Sequence, residues 1–330
     1  MTALSVTLAD IEAARERIAG MIERTPTVAS ESLSALAGVP VHLKLEHRQI
    51  TGSFKLRGAS NAVARLSDAE KARGVTAAST GNHGRALSHA AKRAGARAVI
   101  CMSRLVPENK REAIRQLGAE ARIIGASQDE AQLEVDRLVA EDGLVMLPPF
   151  DHADIIAGQG TLGLEILEDV PDAATIIVPL SGGGLISGIA VAAKSLRPDI
   201  RIIAVSMERG AAMHASLAAG HPVQVEELES LADSLGGGIG LDNAHTFGIC
   251  RALVDEVVLL TEEEIASGIR HAYVQEREIV EGAGAVGIAA LLAGRIASDR
   301  PIVLLLSGRN IDMAAHRAIV CDDALAEAGA

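Results

Sequence analysis

Apolar positions along the chain change their spacing in a regular way. Leu8, Ile11, Ala14, Ile18 and Met21 recur at helical intervals behind Thr7, a fitting cap, and Pro26 ends that pattern. Val41-His42-Leu43-Lys44-Leu45 alternates as a strand, with the head of Lys44 expected in solvent. From Val75 onward one unit repeats: a short apolar run, a glycine-bearing or polar turn, then an alanine-rich stretch with helical spacing. The runs fall at 75–79, 97–102, 120–124, 144–147, 175–180, 201–206, 255–260 and 301–306. Strands alternating with helices predict an α/β fold of parallel sheets flanked by helices. So many strands exceed one compact sheet, and Leu147-Pro148-Pro149-Phe150-Asp151 is the expected boundary between two domains, because paired prolines suit neither a helix nor an interior strand. Residues 221–250 break the repeat, carry Gly236, Gly237, Gly238 and Gly240, and read as a loop lining something.

Three turns between these elements carry candidate chemistry. Thr51-Gly52-Ser53 reads as a turn and helix cap ahead of Phe54-Lys55, which puts the Lys55 ammonium at the positive end of a helix, where the neutral amine is favoured. A neutral amine can condense with an aldehyde. Ser79-Thr80-Gly81-Asn82-His83-Gly84 and Ser181-Gly182-Gly183-Gly184-Leu185 each follow an apolar run and open a helical pattern, so their backbone amides can close on an anion. The hydroxyls of the first loop suit a carboxylate, and the glycines of the second let a phosphate approach the backbone. Ser307-Gly308-Arg309-Asn310 places another hydroxyl at the end of an apolar run. A dinucleotide reading stays open, since Gly182, Gly184 and Gly188 approximate a nicotinamide fingerprint and Glu208 lies where a ribose-binding acid would. However, the spacing to Gly188 is one residue too long, and that reading leaves Lys55 and the Ser79 loop unexplained.

Composition narrows the field. A net charge of -12 argues against a nucleic-acid or anionic-membrane partner. The chain has 25 arginines but only 6 lysines, none after Lys194, so few amines compete with Lys55. Its aromatics are Phe54, Phe150, Phe247 and Tyr273, which leaves the core to Ala, Val, Ile and Leu. Cys101, Cys250 and Cys321 are odd in number, far apart and without CxxC spacing, as expected of reduced thiols with no metal or redox role. Neither a signal peptide nor a membrane-length apolar run is evident, and a cytoplasmic protein is expected.

Together these motifs, with Thr25-Pro26 and Asp154-Ile155-Ile156-Ala157-Gly158-Gln159-Gly160-Thr161, resemble the fold-type II enzymes that depend on pyridoxal 5'-phosphate, in particular the threonine dehydratase and serine racemase family. The likeness extends over essentially the whole chain. It implies a large cofactor-binding domain of residues 1–74 and 151–330 and a small, substrate-closing domain of residues 75–150. Lys55 would hold the cofactor as a Schiff base and serve as the catalytic base, with Phe54 beside the ring. Asn82 would face the ring hydroxyl, Gly182, Gly183, Gly184 and Leu185 the phosphate, and Ser307 the pyridine nitrogen. Glu281 matches an acid near the cofactor, and Ser79, Thr80, Gly81, Asn82 and His83 would hold the substrate carboxylate.

Thr80 stands where the family's racemases carry a proton-donating serine, which weakens the racemase alternative. Arg85 and Arg309 replace smaller or neutral residues. His214 takes the place of an acid that binds a cation in some relatives, so no metal is expected. The variants around Ser79, Ser181 and Leu235 are most similar to the hydroxyectoine-utilisation dehydratases. That similarity implies a homodimeric ammonia-lyase acting on a 3-hydroxy-L-amino acid of the serine, threonine or 3-hydroxyaspartate type.

Overall fold

A computed structural model describes residues 4–79, 81–106, 108–126 and 128–327. Among the described residues ten strands form two sheets: β1 (Thr27–Ala29), β2 (Val41–Lys44), β3 (Val75–Ala78), β4 (Ala98–Met102), β5 (Glu120–Ile123), β6 (Val145–Met146), β7 (Thr175–Pro179), β8 (Arg201–Met207), β9 (Glu256–Leu260) and β10 (Ile302–Leu305). The larger sheet runs β1-β2-β10-β7-β8-β9 and the smaller β5-β4-β3-β6. All neighbours are parallel except β1, which pairs antiparallel with β2.

Every apolar run seen in the sequence from Val75 onward is a strand. β1 escaped notice because its three residues are half-buried or exposed and carry no alternation. The last strand in sequence, β10, lies inside the large sheet, with Ile302 opposite both Val41 and Thr175. The first helix, Leu8–Ile18, has the expected Thr7 cap in a reciprocal capping box with Asp10. Residues 221–250 are mostly irregular, as expected, but contain a short 3-10 turn, Asp233–Leu235, and enter the helix Thr246–Leu253.

Two expectations fail locally. Lys44 is fully buried, because helix Ala153–Asp169 covers the sheet face its side chain points to. Its ammonium pairs with Glu165 at 2.8 Å and Asp169 at 3.1 Å and donates to the Thr25 carbonyl at 2.8 Å. Thr51-Gly52-Ser53 is not a side-chain cap: the cap position of helix Lys55–Arg65 is Phe54, with no side-chain bond. Ser53 instead forms a bridge with Gly308, and Gly52, at φ 81°, accepts from the Arg309 amide at 2.9 Å.

Three helices form the rigid base beneath this turn. A Cβ at Gly158 would lie 2.6 Å from the Arg57 carbonyl oxygen, and one at Gly188 only 2.4 Å from that of Ile156. Helix Ala153–Asp169 therefore touches helices Lys55–Arg65 and Gly184–Leu196 backbone to backbone, and any side chain at those glycines would force them apart. The β2, β7 and β10 strands end on the same edge of the large sheet, which delivers Lys55, the 181–184 loop and Ser307 to one place.

Candidate active site

Lys55 is the first residue of its helix and half-buried. Its Nζ donates to the Pro149 carbonyl at 2.7 Å and lies 5.2 Å from the centre of the Phe54 ring. Burial pulls its pKa down to about 8, and the nearby Glu281 carboxylate opposes that fall. The neutral amine expected from the sequence is thus accessible near neutrality, with desolvation, rather than the expected helix end, as the cause.

The 181–184 loop lies against the same segment that holds Lys55. A Cβ at Gly182 would lie 2.5 Å from the Phe150 ring, and one at Gly184 would lie 2.9 Å from the Phe150 backbone. Gly183, at φ 89°, is the left-handed cap residue of helix Gly184–Leu196. Among the described residues, none accepts a hydrogen bond from the amides of Gly182, Gly183, Gly184 or Leu185. A buried helix start with unengaged donors is suited to receive an anion.

Ser307 is buried, and its backbone carbonyl accepts from the Phe54 amide at 3.1 Å, which ties it to the lysine turn. Its hydroxyl makes only a long bond, 3.4 Å, to the Ala283 carbonyl. Glu281 caps this side. It accepts from Asn82 Nδ2 at 2.7 Å and from the Asn310 amide at 2.9 Å, while its own amide donates to the Gly308 carbonyl at 3.0 Å. Burial, with Asp233 adding to it, pushes the Glu281 carboxyl up to about 7.

On the small sheet, Ser79 follows β3, and its Oγ accepts from the Gly84 amide at 3.0 Å and, more weakly, from Gly81 at 3.5 Å. Its own hydroxyl hydrogen has no acceptor among the described residues. His83 donates from Nε2 to the Leu147 carbonyl at 2.8 Å, so Nδ1 carries a lone pair; Nδ1 is buried and unpartnered among the described residues. Burial, and then the Lys55 charge, push this imidazole down to about 3. Arg85, two residues further, is half-buried with no acceptor among the described residues; burial lowers its pKa and Glu281 opposes that. Arg309 is exposed. Thr80 lies outside the described residues.

The site thus brings together Phe54, Lys55, Asn82, Glu281 and Ser307 by direct bonds or shared neighbours, with the 181–184 loop joined to Lys55 through Pro149 and Phe150. Sequence reading missed several contributors. Asn310 bonds Asn82 Oδ1 at 2.5 Å and the Thr51 carbonyl at 3.0 Å. Fully buried Arg57 bonds Glu46 and Glu165, two charged residues themselves buried on otherwise apolar faces. A charged residue inside an apolar helical pattern was the signal available for Arg57 and Glu165.

Comparison with known proteins adds an independent finding. The family model for pyridoxal-phosphate dependent enzymes matches residues 18–308. A protein of Sinorhizobium fredii, provisionally named a threonine dehydratase, is 64% identical over 317 residues, covering 96% of each chain. The L-threonine ammonia-lyase of Thermotoga maritima is 42% identical over 308 residues, 93% of this chain and 76% of that one. The solved structure of maize serine racemase is 34% identical, with a TM-score of 0.90 over 98% of this chain and 99% of that one.

Proposed function

Because the chain belongs to the family of pyridoxal-phosphate dependent enzymes, we propose that it is a dehydratase that converts a 3-hydroxy-L-amino acid to a 2-oxo acid and ammonia. The observation that carries this reading is the Lys55 amine, brought down to about 8 beside a loop of unengaged amides. The residues fit the cofactor by the chemistry of their donors. Lys55 offers an amine for its aldehyde, the amides of Gly182, Gly183, Gly184 and Leu185 would hold its phosphate, Asn82 its ring hydroxyl and Ser307 its pyridine nitrogen, with Phe54 beside the ring. When bound, the cofactor supplies an aldehyde that condenses with amines and a ring that withdraws electrons from Cα.

The chain's own groups do the rest. Ser79, free to donate its hydroxyl hydrogen, would receive the substrate carboxylate together with the amides at the start of helix Asn82–Arg93. Neutral Lys55 Nζ takes the Cα proton. Neutral His83, fixed by Leu147, adds no competing charge. A hydroxyl at Ser307 does not keep a pyridine nitrogen protonated, which favours loss of the β-hydroxyl over transamination. Residues 75–150 would close over the substrate as a small domain against 1–74 and 151–330. We take the enzyme to be a cytoplasmic homodimer; no helix among the described residues is long and apolar enough to cross a membrane.

Within this class, the preferred substrate is 3-hydroxyaspartate, in the breakdown of hydroxyectoine. Arg85 supports that choice, because a half-buried guanidinium with no described acceptor calls for an anionic group on the ligand. Arg309 is too exposed for the role. Arg85→Ala is expected to lower kcat/KM for 3-hydroxyaspartate by roughly 100-fold, the worth of a charge-assisted pair, while threonine changes by less than about threefold. Equal losses on both substrates would remove Arg85 from the side-chain site.

A substrate panel of serine, threonine and both diastereomers of 3-hydroxyaspartate tests the reaction itself. Keto acid and ammonia are expected in equal amounts. Likeness to maize serine racemase keeps a second reading in view: enantiomer exchange without ammonia would select it.

A further inference from the structure

We infer that Asp151 is a positioning residue that clamps the 181–184 loop and so sets the grip on a phosphate, an inference that rests on the phosphate reading of that loop. The Asp151 carboxylate is a three-way anchor. Oδ2 accepts from the Ala244 amide at 2.7 Å, and Oδ1 accepts from those of His245 and Thr246, each at 2.9 Å. It joins two segments that are 93 residues apart in sequence and that grip the loop from opposite sides.

The first side is Phe150, the residue before Asp151. Its ring and backbone press on Gly182 and Gly184 so closely that neither glycine has room for a Cβ. The other side is built by Thr246 and the residues after it. A Cβ at Gly183 would meet Thr246 Cβ and Cys250 Sγ at 3.0 Å each, and Met213 Cε at 2.9 Å. Asn243 reinforces this side by bonding Thr246 Oγ1 at 2.8 Å and accepting from the Phe247 amide at 2.8 Å. The loop has few bonds of its own, so its amides stay convergent only while both sides are held. Asp151 is the polar tie between them.

The same anchor reaches Lys55 by a separate route, since the Pro149 carbonyl that receives Nζ is two residues upstream. The two effects separate by ligand. A loosened loop weakens only ligands that carry a phosphate, whereas a displaced Pro149 weakens every aldehyde that meets Lys55.

The test titrates the full-length protein, resolved of its cofactor, with pyridoxal phosphate and with pyridoxal, which lacks the phosphate. Binding is read from the absorbance of the imine. Asp151→Ala is expected to lower affinity for pyridoxal phosphate by about tenfold or more, the worth of lost hydrogen bonds to a charged acceptor, and to leave pyridoxal within about twofold. Asp151→Asn, which keeps the shape and one acceptor, provides a folded variant with an intermediate loss. Amide hydrogen exchange adds a readout independent of catalysis: inorganic phosphate should protect residues 182–186 in the wild type and less so in either variant. Unchanged affinity for pyridoxal phosphate in both variants, or equal losses for the two aldehydes, overturns the clamp. Should the wild-type protein itself bind both aldehydes equally, the phosphate reading of the loop fails and the clamp falls with it.

Discussion

Replacing Lys55 with alanine is expected to lower turnover by at least ~10^4-fold, the upper range for a positioned proton-transfer group. In the proposed reaction Lys55 would also anchor the cofactor, and neither Lys44, held in ion pairs, nor Lys194, paired with Asp255, is placed to replace it. The same position should betray its function through stability. Lys55 has a folded pKa of about 8, below the ordinary 10.5, so the unfolded chain binds more protons between those values. The amine therefore disfavours the fold fully below pH 8, and the penalty fades as pH rises towards 10.5. Lys55→Met, which keeps an unbranched side chain one atom shorter and without the charge, should unfold at higher denaturant than the cofactor-free wild type at pH 7, with the difference shrinking at pH 10. A variant that turns over normally, or Lys55→Met that is less stable at pH 7 than at pH 10 relative to wild type, contradicts this account.

The second large effect lies just behind the lysine. Arg57→Ala is expected to destabilise the protein by about 3–5 kcal/mol, because it strips buried Glu46 of its ion-pair partner and leaves Glu165 with Lys44 alone. Arg57 Nη2 donates to Glu46 at 2.9 Å and Nη1 to Glu165 at 2.6 Å, with Thr161 Oγ1 at 3.1 Å; the guanidinium and Glu46 are both fully buried. Glu165 is shared with Lys44, so the network spans β2, the start of helix Lys55–Arg65 and helix Ala153–Asp169. Denaturant unfolding measures the loss. The pairwise origin is checked by Arg57→Leu combined with Glu46→Leu, which removes both charges of one pair and should recover part of the stability lost in Arg57→Leu alone. If the double variant is worse than the sum of its parts, the cost arises from packing and the ionic explanation fails.

The contrast between Lys55 and Arg57 shows what the sequence could disclose. The place of Lys55 at a helix start was legible because its signals are local: a turn, a neighbouring phenylalanine and a scarcity of other lysines. The strands from Val75 onward were legible for the same reason, as each apolar run declares itself within a few residues. Arg57 was not, because its partners Glu46 and Glu165 come from other elements and their charges look like solvent-facing positions until the helices are stacked. Lys44 was misread on the same ground, for strand alternation says which face a residue points to but not what covers that face. Asn310 and Asp151 sit inside or beside motifs that drew attention, yet their bonds reach Asn82 and residues 244–246, over separations that no periodicity encodes. Ser79 shows the reverse case: its role as an acceptor for the Gly84 amide is local, and a capping function could be expected from its place before a helix.

The interior seat of β10 bears on how the molecule is made. Until residues 302–305 leave the ribosome, the flanks of β2 and β7 that face each other have no bonding partner, and the lysine turn lacks the Ser307 and Gly308 backbone that closes it. The growing chain must therefore carry the open flank of β2 through most of its synthesis, joined by that of β7 once residue 179 is made, and those surfaces are open to foreign strands. Helper proteins that shield nascent chains, or slow translation ahead of the final strand, should govern the yield of active enzyme more than the temperature at which the finished product melts.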